Sequence, residues 1–190
     1  MDHGHRFEAK HHSRLDSSYR RKILPPTATL KSFGLKKGMT VSDIGAGTGY
    51  FLIPAARVVG PPAMAYGVDV SRDMLALLSR KRLPKNVCLV HTKDGYKFDV
   101  PASSVDFTIA SAILHENDAQ RLLSEIRRTM KKRARILLIE WRKEYTRHGP
   151  PAGERLTRTQ VERLLDKSRF KVIRGGDLNS RYYAVLAEKL

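Results

Sequence analysis

Three glycines at alternate positions, Gly45, Gly47 and Gly49, follow the segment Val41-Ser42-Asp43-Ile44, and an acid, Asp69, stands twenty residues past the last of them. Glycines so spaced let a chain turn sharply and bring its backbone close to a ligand. A helix beginning at Tyr50 would then aim its first N–H groups at that ligand. Asp69 closes the apolar run Ala63-Met64-Ala65-Tyr66-Gly67-Val68. In a βαβ unit, a carboxylate at that strand end can accept both hydroxyl protons of a ribose. The chemistry indicated is the holding of an adenosine-containing cofactor.

The spacing discriminates among such cofactors. A dinucleotide site wants Gly-x-Gly-x-x-Gly, its third glycine on the helix under a pyrophosphate. Here the third glycine comes one residue early and position 50 is Tyr. Asp43, two residues before Gly45, repels a pyrophosphate but suits a cationic amino group. S-adenosylmethionine carries an ammonium, a ribose and an adenine and no phosphate, so it is the expected cofactor.

These residues need a scaffold, and the chain alternates strands and helices. Short helices are expected over Arg14–Leu24 and Thr27–Phe33, broken at Pro25-Pro26, and strands over Met39–Gly45, Ala63–Val70, Asn86–His91, Val105–Ser111 and Arg135–Trp141. Helices are expected over Tyr50–Val59, Asp73–Leu83 (with Ser71 as its cap), Asn117–Met130 and Thr159–Ser168. Phe170–Asp177 and Tyr182–Glu188 read as a closing hairpin. Such alternation implies an α/β fold with a doubly wound, mostly parallel sheet, whose ligands bind beyond the carboxyl ends of the strands. That rule brings Ser111, His115-Glu116 and Glu140-Trp141 to the rim beside the glycine loop. His115 reads either as a general base or as a residue of the helix entry. Glu140 reads either as a carboxylate facing the site or as the partner of an arginine.

At 190 residues the chain fits one domain with a substantial core. No stretch approaches the ~18 apolar residues of a membrane span, and the start shows no apolar signal segment, so a cytoplasmic, non-membrane protein is expected. The single cysteine, Cys88, excludes internal disulfides and reads as a core thiol. His3, His5, His11 and His12 crowd the start without the acids or thiols that would complete a metal site, so no metal is expected. The net charge of +17 is uneven: residues 1–37 carry nine Lys/Arg against three Asp/Glu, residues 38–120 eight against eight, and residues 121–190 nineteen against eight. The basic flanks leave nucleic acid as the alternative partner to a small molecule.

Asp43-Ile44-Gly45-Ala46-Gly47-Thr48-Gly49, Gly67-Val68-Asp69-Val70-Ser71, Asp94-Gly95, Val105-Asp106-Phe107 through Leu114-His115-Glu116, and Glu125-Ile126-Arg127-Arg128 together carry a resemblance. Over residues 14–190 the chain resembles the class I S-adenosylmethionine-dependent methyltransferases, in the group that includes the ubiquinone/menaquinone C-methyltransferases and arsenite methyltransferases. The resemblance implies a seven-stranded Rossmann-like sheet with an antiparallel edge hairpin. It also implies three parts: a flexible N-terminus (1–13), a helical lid (14–38) and a cofactor-binding domain (39–190). Asp94 and Gly95 are implied at the adenine edge, Val70 and Met74 at its faces, Ser111 where donor and acceptor meet, and Arg14 and Tyr19 on the lid. The fourth strand ends in Ser111-Ala112-Ile113-Leu114. It lacks the proline-bearing tetrad of base-amine enzymes, a cysteine nucleophile and the acid of ribose enzymes, and the chain lacks the several thiols of arsenite enzymes. A small-molecule methyl acceptor is therefore expected, on a monomer or homodimer. The alternatives are an RNA methyltransferase or a non-catalytic protein that binds the cofactor.

Overall fold

The structure, a computed structural model, describes residues 16–144 and 149–190. Seven strands form one sheet: β1 (Val41–Ile44), β2 (Ala65–Asp69), β3 (Val87–His91), β4 (Val105–Ser111), β5 (Met130–Trp141), β6 (Phe170–Asp177) and β7 (Tyr182–Lys189). Their order is β3-β2-β1-β4-β5-β7-β6. β7 alone runs antiparallel to its neighbours, β5 and β6. The order reverses between β1 and β4, which opens a crevice beyond their carboxyl ends, where open α/β sheets place ligands.

Among the described residues six α-helices cover the sheet: α1 (Ser18–Ile23), α2 (Pro26–Ser32), α3 (Leu52–Val59), α4 (Arg72–Ser79), α5 (Ala119–Thr129) and α6 (Arg158–Lys167). Two apolar cores result, one on each face. The first joins Leu30, Leu52, Val59 and Leu78 to Val41, Phe107, Leu137 and Ile139. The second joins Leu122, Ile126, Val161 and Leu165 to Val105, Ile136, Leu138 and Val185. β4 and β5 supply apolar residues to both cores, Phe107, Leu137 and Ile139 to the first and Val105, Ile136 and Leu138 to the second, so the stretch Ile136–Ile139 runs apolar without alternation.

Differences from the sequence reading lie at element ends, and each has a local cause. α1 ends at Ile23 because Leu24 precedes Pro25 and takes an extended φ of −140°. Leu24 is instead buried in the first core, while Tyr19 is 51% exposed under the Arg181 guanidinium. The expected helix Arg14–Leu24 is therefore shorter, and Leu24 packs inward from beyond its end. Arg14 lies outside the described residues. α3 begins at Leu52 rather than Tyr50, because Tyr50 and Phe51 still belong to the turn out of the glycine loop. Ser71 caps α4 as expected, accepting from the Met74 N–H at 3.2 Å. β5 starts five residues earlier than read: Val105 pairs with Met130 and Phe107 with Arg135, so residues 131–134 bulge out opposite Asp106.

Candidate active site

The glycine loop leaves β1 with left-handed φ values of 72° at Gly45, 51° at Gly47 and 80° at Gly49, a region that side chains other than glycine enter at a cost. Packing adds a second constraint. A Cβ on Gly45 would lie 2.6 Å from an Ile113 methyl, and one on Gly49 the same distance from a Leu78 methyl. The loop is tied to β2 by the Gly45 and Ala46 N–H groups, both donating to the Val68 carbonyl.

Asp69 joins the two halves of the crevice. Its Oδ2 accepts from the Gly47 N–H at 2.7 Å and its Oδ1 from the Ser71 N–H at 2.8 Å. Burial pulls its pKa up, and the N–H groups of Ser71, Gly47 and Val70 restrain the rise. Each oxygen keeps acceptor capacity for a further donor, which is what a diol requires.

Asp43 lies deeper. It is 3% exposed, and burial pushes its carboxyl up to about 7 against the pull of the Leu52 N–H; the Asp69 charge adds to the rise and Arg20 opposes it. The carboxylate thus sits under the loop at the start of α3, where it complements the helix dipole. This is a supporting position beneath the loop, not a place on an open lip.

Beyond β2 and β3, Val70, Gly95 and Asn117 pack closely together. Gly95 has a φ of 80°, and a Cβ there would meet Val70 at 3.3 Å and the Asn117 oxygen at 3.7 Å. The Gly95 N–H is held by the Thr92 hydroxyl at 3.1 Å. Asp94 is exposed at the lip. The Tyr96 N–H, donating to it at 2.9 Å, holds its pKa below the usual carboxylate range. Met74 is buried. Asn117, which the sequence reading put inside a helix, instead lies before α5 and donates to the Ile113 carbonyl at 2.7 Å.

The far wall is the segment after β4. Ala112 takes a left-handed φ of 57°, and a single 3-10 turn follows over Leu114–Glu116. Glu140, buried at the end of β5, holds that turn: its Oε1 accepts from the Ile113 and Leu114 N–H groups, and its Oε2 lies 3.1 Å from His115 Nδ1. Among the described residues Glu140 therefore pairs with backbone and imidazole, and with no arginine. The other ring nitrogen of His115 faces Glu116 at 3.6 Å, and the side chain is only 3% exposed. Burial alone would lower its pKa, but the hydrogen bond and charge of Glu140, with Glu116 and Glu154, raise it above the ordinary value.

Two hydroxyls on this rim stand out. Thr48 Oγ1 in the loop and Ser111 Oγ at the end of β4 are buried and have no hydrogen-bond partner among the described residues. Buried polar atoms are normally paired, so each leaves hydrogen-bonding capacity unused.

α1 is tied on two sides to the rest of the fold. The Tyr50 hydroxyl donates to the Leu24 carbonyl at 2.7 Å, and the Arg20 guanidinium lies 4.1 Å from the Tyr50 ring. On the other side Asn179 donates to the Ile23 carbonyl at 2.8 Å. Lys81 links Asp16 to the Thr48 carbonyl at 3.0 and 2.7 Å. Trp141 packs on Tyr182 with ring centroids 4.6 Å apart, and Gly149 lies against the indole. Among the described residues no three His, Cys, Asp or Glu side chains come together as a metal site, and no helix is long and apolar enough to cross a membrane. The four N-terminal histidines lie outside those residues, and Cys88 is partly buried against the second core.

Comparison with known proteins agrees with this geometry. Residues 41–133 match a family model described as a methyltransferase domain. A demethylmenaquinone methyltransferase from a Geobacillus species is 31% identical over 137 residues, which are 69% of this chain and 58% of that protein. One from Anoxybacillus flavithermus is 29% identical over 136 residues, 68% of this chain and 57% of that protein. The chain thus aligns with a little over half the length of these relatives. A crystal structure of a SAM-dependent methyltransferase from Aquifex aeolicus superposes with a TM-score of 0.91 at 29% identity, covering 97% of this chain and all of that one.

Proposed function

Because this chain belongs to the class I S-adenosylmethionine-dependent methyltransferases, we propose that it catalyses methyl transfer to a small-molecule acceptor bound against Ser111 and Trp141. One observation carries the reading: Asp69 bridges the glycine loop to β2 through the Gly47 and Ser71 N–H groups, and the unpartnered hydroxyls of Thr48 and Ser111 flank it on the same rim.

The residues suit the cofactor group by group. Asp69 would take the ribose hydroxyls. The adenine slot is proposed beside Val70, Gly95 and Asn117, which pack closely together, with Asp94 at its lip. Asp43 and the Thr48 hydroxyl stand at the loop, toward the amino-acid end. No cationic side chain is placed for a pyrophosphate within the glycine loop itself, residues 45–49. When bound, S-adenosylmethionine supplies an electrophilic methyl group on a sulfonium, whose thioether leaving group needs no acid.

The protein's task is then alignment, worth about 7–11 kcal/mol when reacting atoms are held in line. Glu140 fixes the 113–115 backbone, and that segment in turn holds Ile113 over Gly45 and Asn117 at the slot. We assign His115 to this clasp, because both its nitrogens already face carboxylates. α1, tied to Tyr50 and Asn179, would act as the cover that excludes water, with Tyr19 on its outer side.

The acceptor class draws support from the aromatic pair Trp141–Tyr182 on the rim and from relatives named for demethylmenaquinone. Calorimetric titration with S-adenosylhomocysteine and with NADH tests the cofactor. Transfer of a labelled methyl group to hydroxynaphthoquinones, set against bulk RNA, tests the acceptor. Micromolar NADH binding without S-adenosylhomocysteine binding, or label on RNA alone, would overturn the reading.

A further inference from the structure

At the opposite end of the strands from this crevice, the two basic flanks of the sequence meet. Lys36 follows α2, while Lys131, Lys132, Arg133 and Arg135 come from the start of β5. Together with Met39, Asp106 and Phe107 they line a cavity of about 290 Å³. A second cavity of about 190 Å³ adjoins it, sharing Gly34 and Arg135 and adding Arg174. The two cationic segments lie about a hundred residues apart in sequence, so their convergence is a product of the fold.

Three features give this groove the character of an anion site. The first is charge. Its one acid, Asp106, is occupied by Lys131, whose Nζ lies 2.8 and 2.9 Å from the two carboxylate oxygens. Among the described residues, Lys36, Lys132, Arg133 and Arg135 make no ion pair. The second is the backbone. The bulge that sets residues 131–134 outside the β4 ladder also holds Arg133 at a φ of 61°. A left-handed arginine inside a strand is strained and persists where the surroundings enforce it. The third is shape: the cations rim a concavity, not a flat face.

We propose that this groove binds the phosphodiester backbone of single-stranded nucleic acid, at a place separate from the methyl-transfer crevice. A duplex is too wide for cavities of this size, whereas a single strand fits. A bilayer is flat, and docking it here would turn the crevice away from the membrane. Both aromatics lining the two cavities are buried, Phe107 in the strand and Phe33 under the Arg174 guanidinium at 4.2 Å. Bases therefore find no open stacking surface, and recognition is of phosphates, independent of sequence.

Four cations free of ion pairs contact up to about four phosphates. Affinity should then fall with a log–log salt slope near −2.8, about 50-fold between 50 and 200 mM salt. The experiment is fluorescence anisotropy of a labelled 15-mer oligouridylate with the full chain. Lys132→Glu/Arg133→Glu should weaken binding more than tenfold at 50 mM salt and bring the slope to about −1.4. Arg163→Glu/Lys167→Glu on α6 changes the net charge equally away from the groove and should stay within threefold of the parent. S-adenosylhomocysteine binding by each variant reports that it is folded, and Lys132→Gln/Arg133→Gln serves if the reversed charges prevent folding. Equal losses in both double variants, no binding at 50 mM salt, or tighter binding to phosphatidylglycerol vesicles through the same pair would overturn the proposal. None of those outcomes bears on the crevice, whose own test is cofactor binding.

Discussion

Asp69→Asn changes one atom in the residue that ties the crevice together. Both carboxylate oxygens accept backbone N–H groups, from Gly47 at 2.7 Å and Ser71 at 2.8 Å. An amide keeps one acceptor and turns the other into a donor, so one backbone N–H then faces another N–H. Hydrogen bonds to a charged group are worth about 1.5–3 kcal/mol each, and a donor left unsatisfied costs about 1–3 kcal/mol. On the Gly47 side the loop would move away from β2. On the ligand side one of two diol hydroxyls loses its acceptor. Binding should weaken by about 1.5–3 kcal/mol, a factor of roughly 10 to 150 in Kd. Stability should change less, because burial already penalises the ionised carboxyl, as its raised pKa records. The assay is calorimetric titration of parent and variant with S-adenosylhomocysteine, beside thermal unfolding of each. A Kd within twofold of the parent, with an unchanged melting point, would refute the assignment of Asp69 to the ribose. A large loss of stability with unchanged affinity in the folded fraction would make it a structural tie alone.

Three further outcomes are expected. Asp43 stands at about 7 in the fold against an ordinary 3.8, because burial disfavours its charge; the folded state thus holds a proton that the unfolded chain releases, and stability falls as pH rises from about 4 to 7. Asp43→Asn should flatten the pH profile of stability over that window and raise stability at pH 8 by at most about 4 kcal/mol, read as a higher melting point; a parallel pH profile would refute this. His115 is also raised, mainly by Glu140 working against burial, so its contribution is full below about 6.5 and is lost as pH climbs through the folded pKa. Glu140→Gln should remove that loss above pH 6.5 while leaving the Asp43 window in place, as melting curves from pH 5 to 9 would show. Tyr50→Phe strands the Leu24 carbonyl, at a cost of about 1–3 kcal/mol; hydrogen exchange over 18–24 should quicken and S-adenosylhomocysteine binding weaken several-fold, and unchanged exchange would show that α1 is held elsewhere.

The sheet was legible because its strands announce themselves locally. β4 is legible to the residue, and the glycine loop and Asp69 stand at the ends of β1 and β2, as their spacing implies. β5 was cut short because Lys131-Lys132-Arg133 shows neither alternation nor apolar content. The bulge that accommodates it depends on Asp106 of the neighbouring strand. The extent of α1 was overestimated because a helical wheel counts Leu24 as helix, whereas the following proline turns it into the core.

What local pattern could not supply was partnership across the chain. Glu140 clasps backbone groups 26 and 27 residues before it, a relation that exists only once β4 and β5 lie side by side. Asn117 reaches the slot because the turn held by Glu140 ends where it does. Thr48 lay inside the quoted motif, yet only burial without a partner marks its hydroxyl. The same reasoning applies at the far end of the sheet. Two basic flanks read separately gave only a diffuse charge, and the parallel order β1-β4-β5 turns them into one rim around a cavity. The chemistry of single residues was readable from their types. The pairing of residues into clasps and grooves follows from strand order, so a substitution that shifts β4 against β5 should disturb the crevice and the groove together.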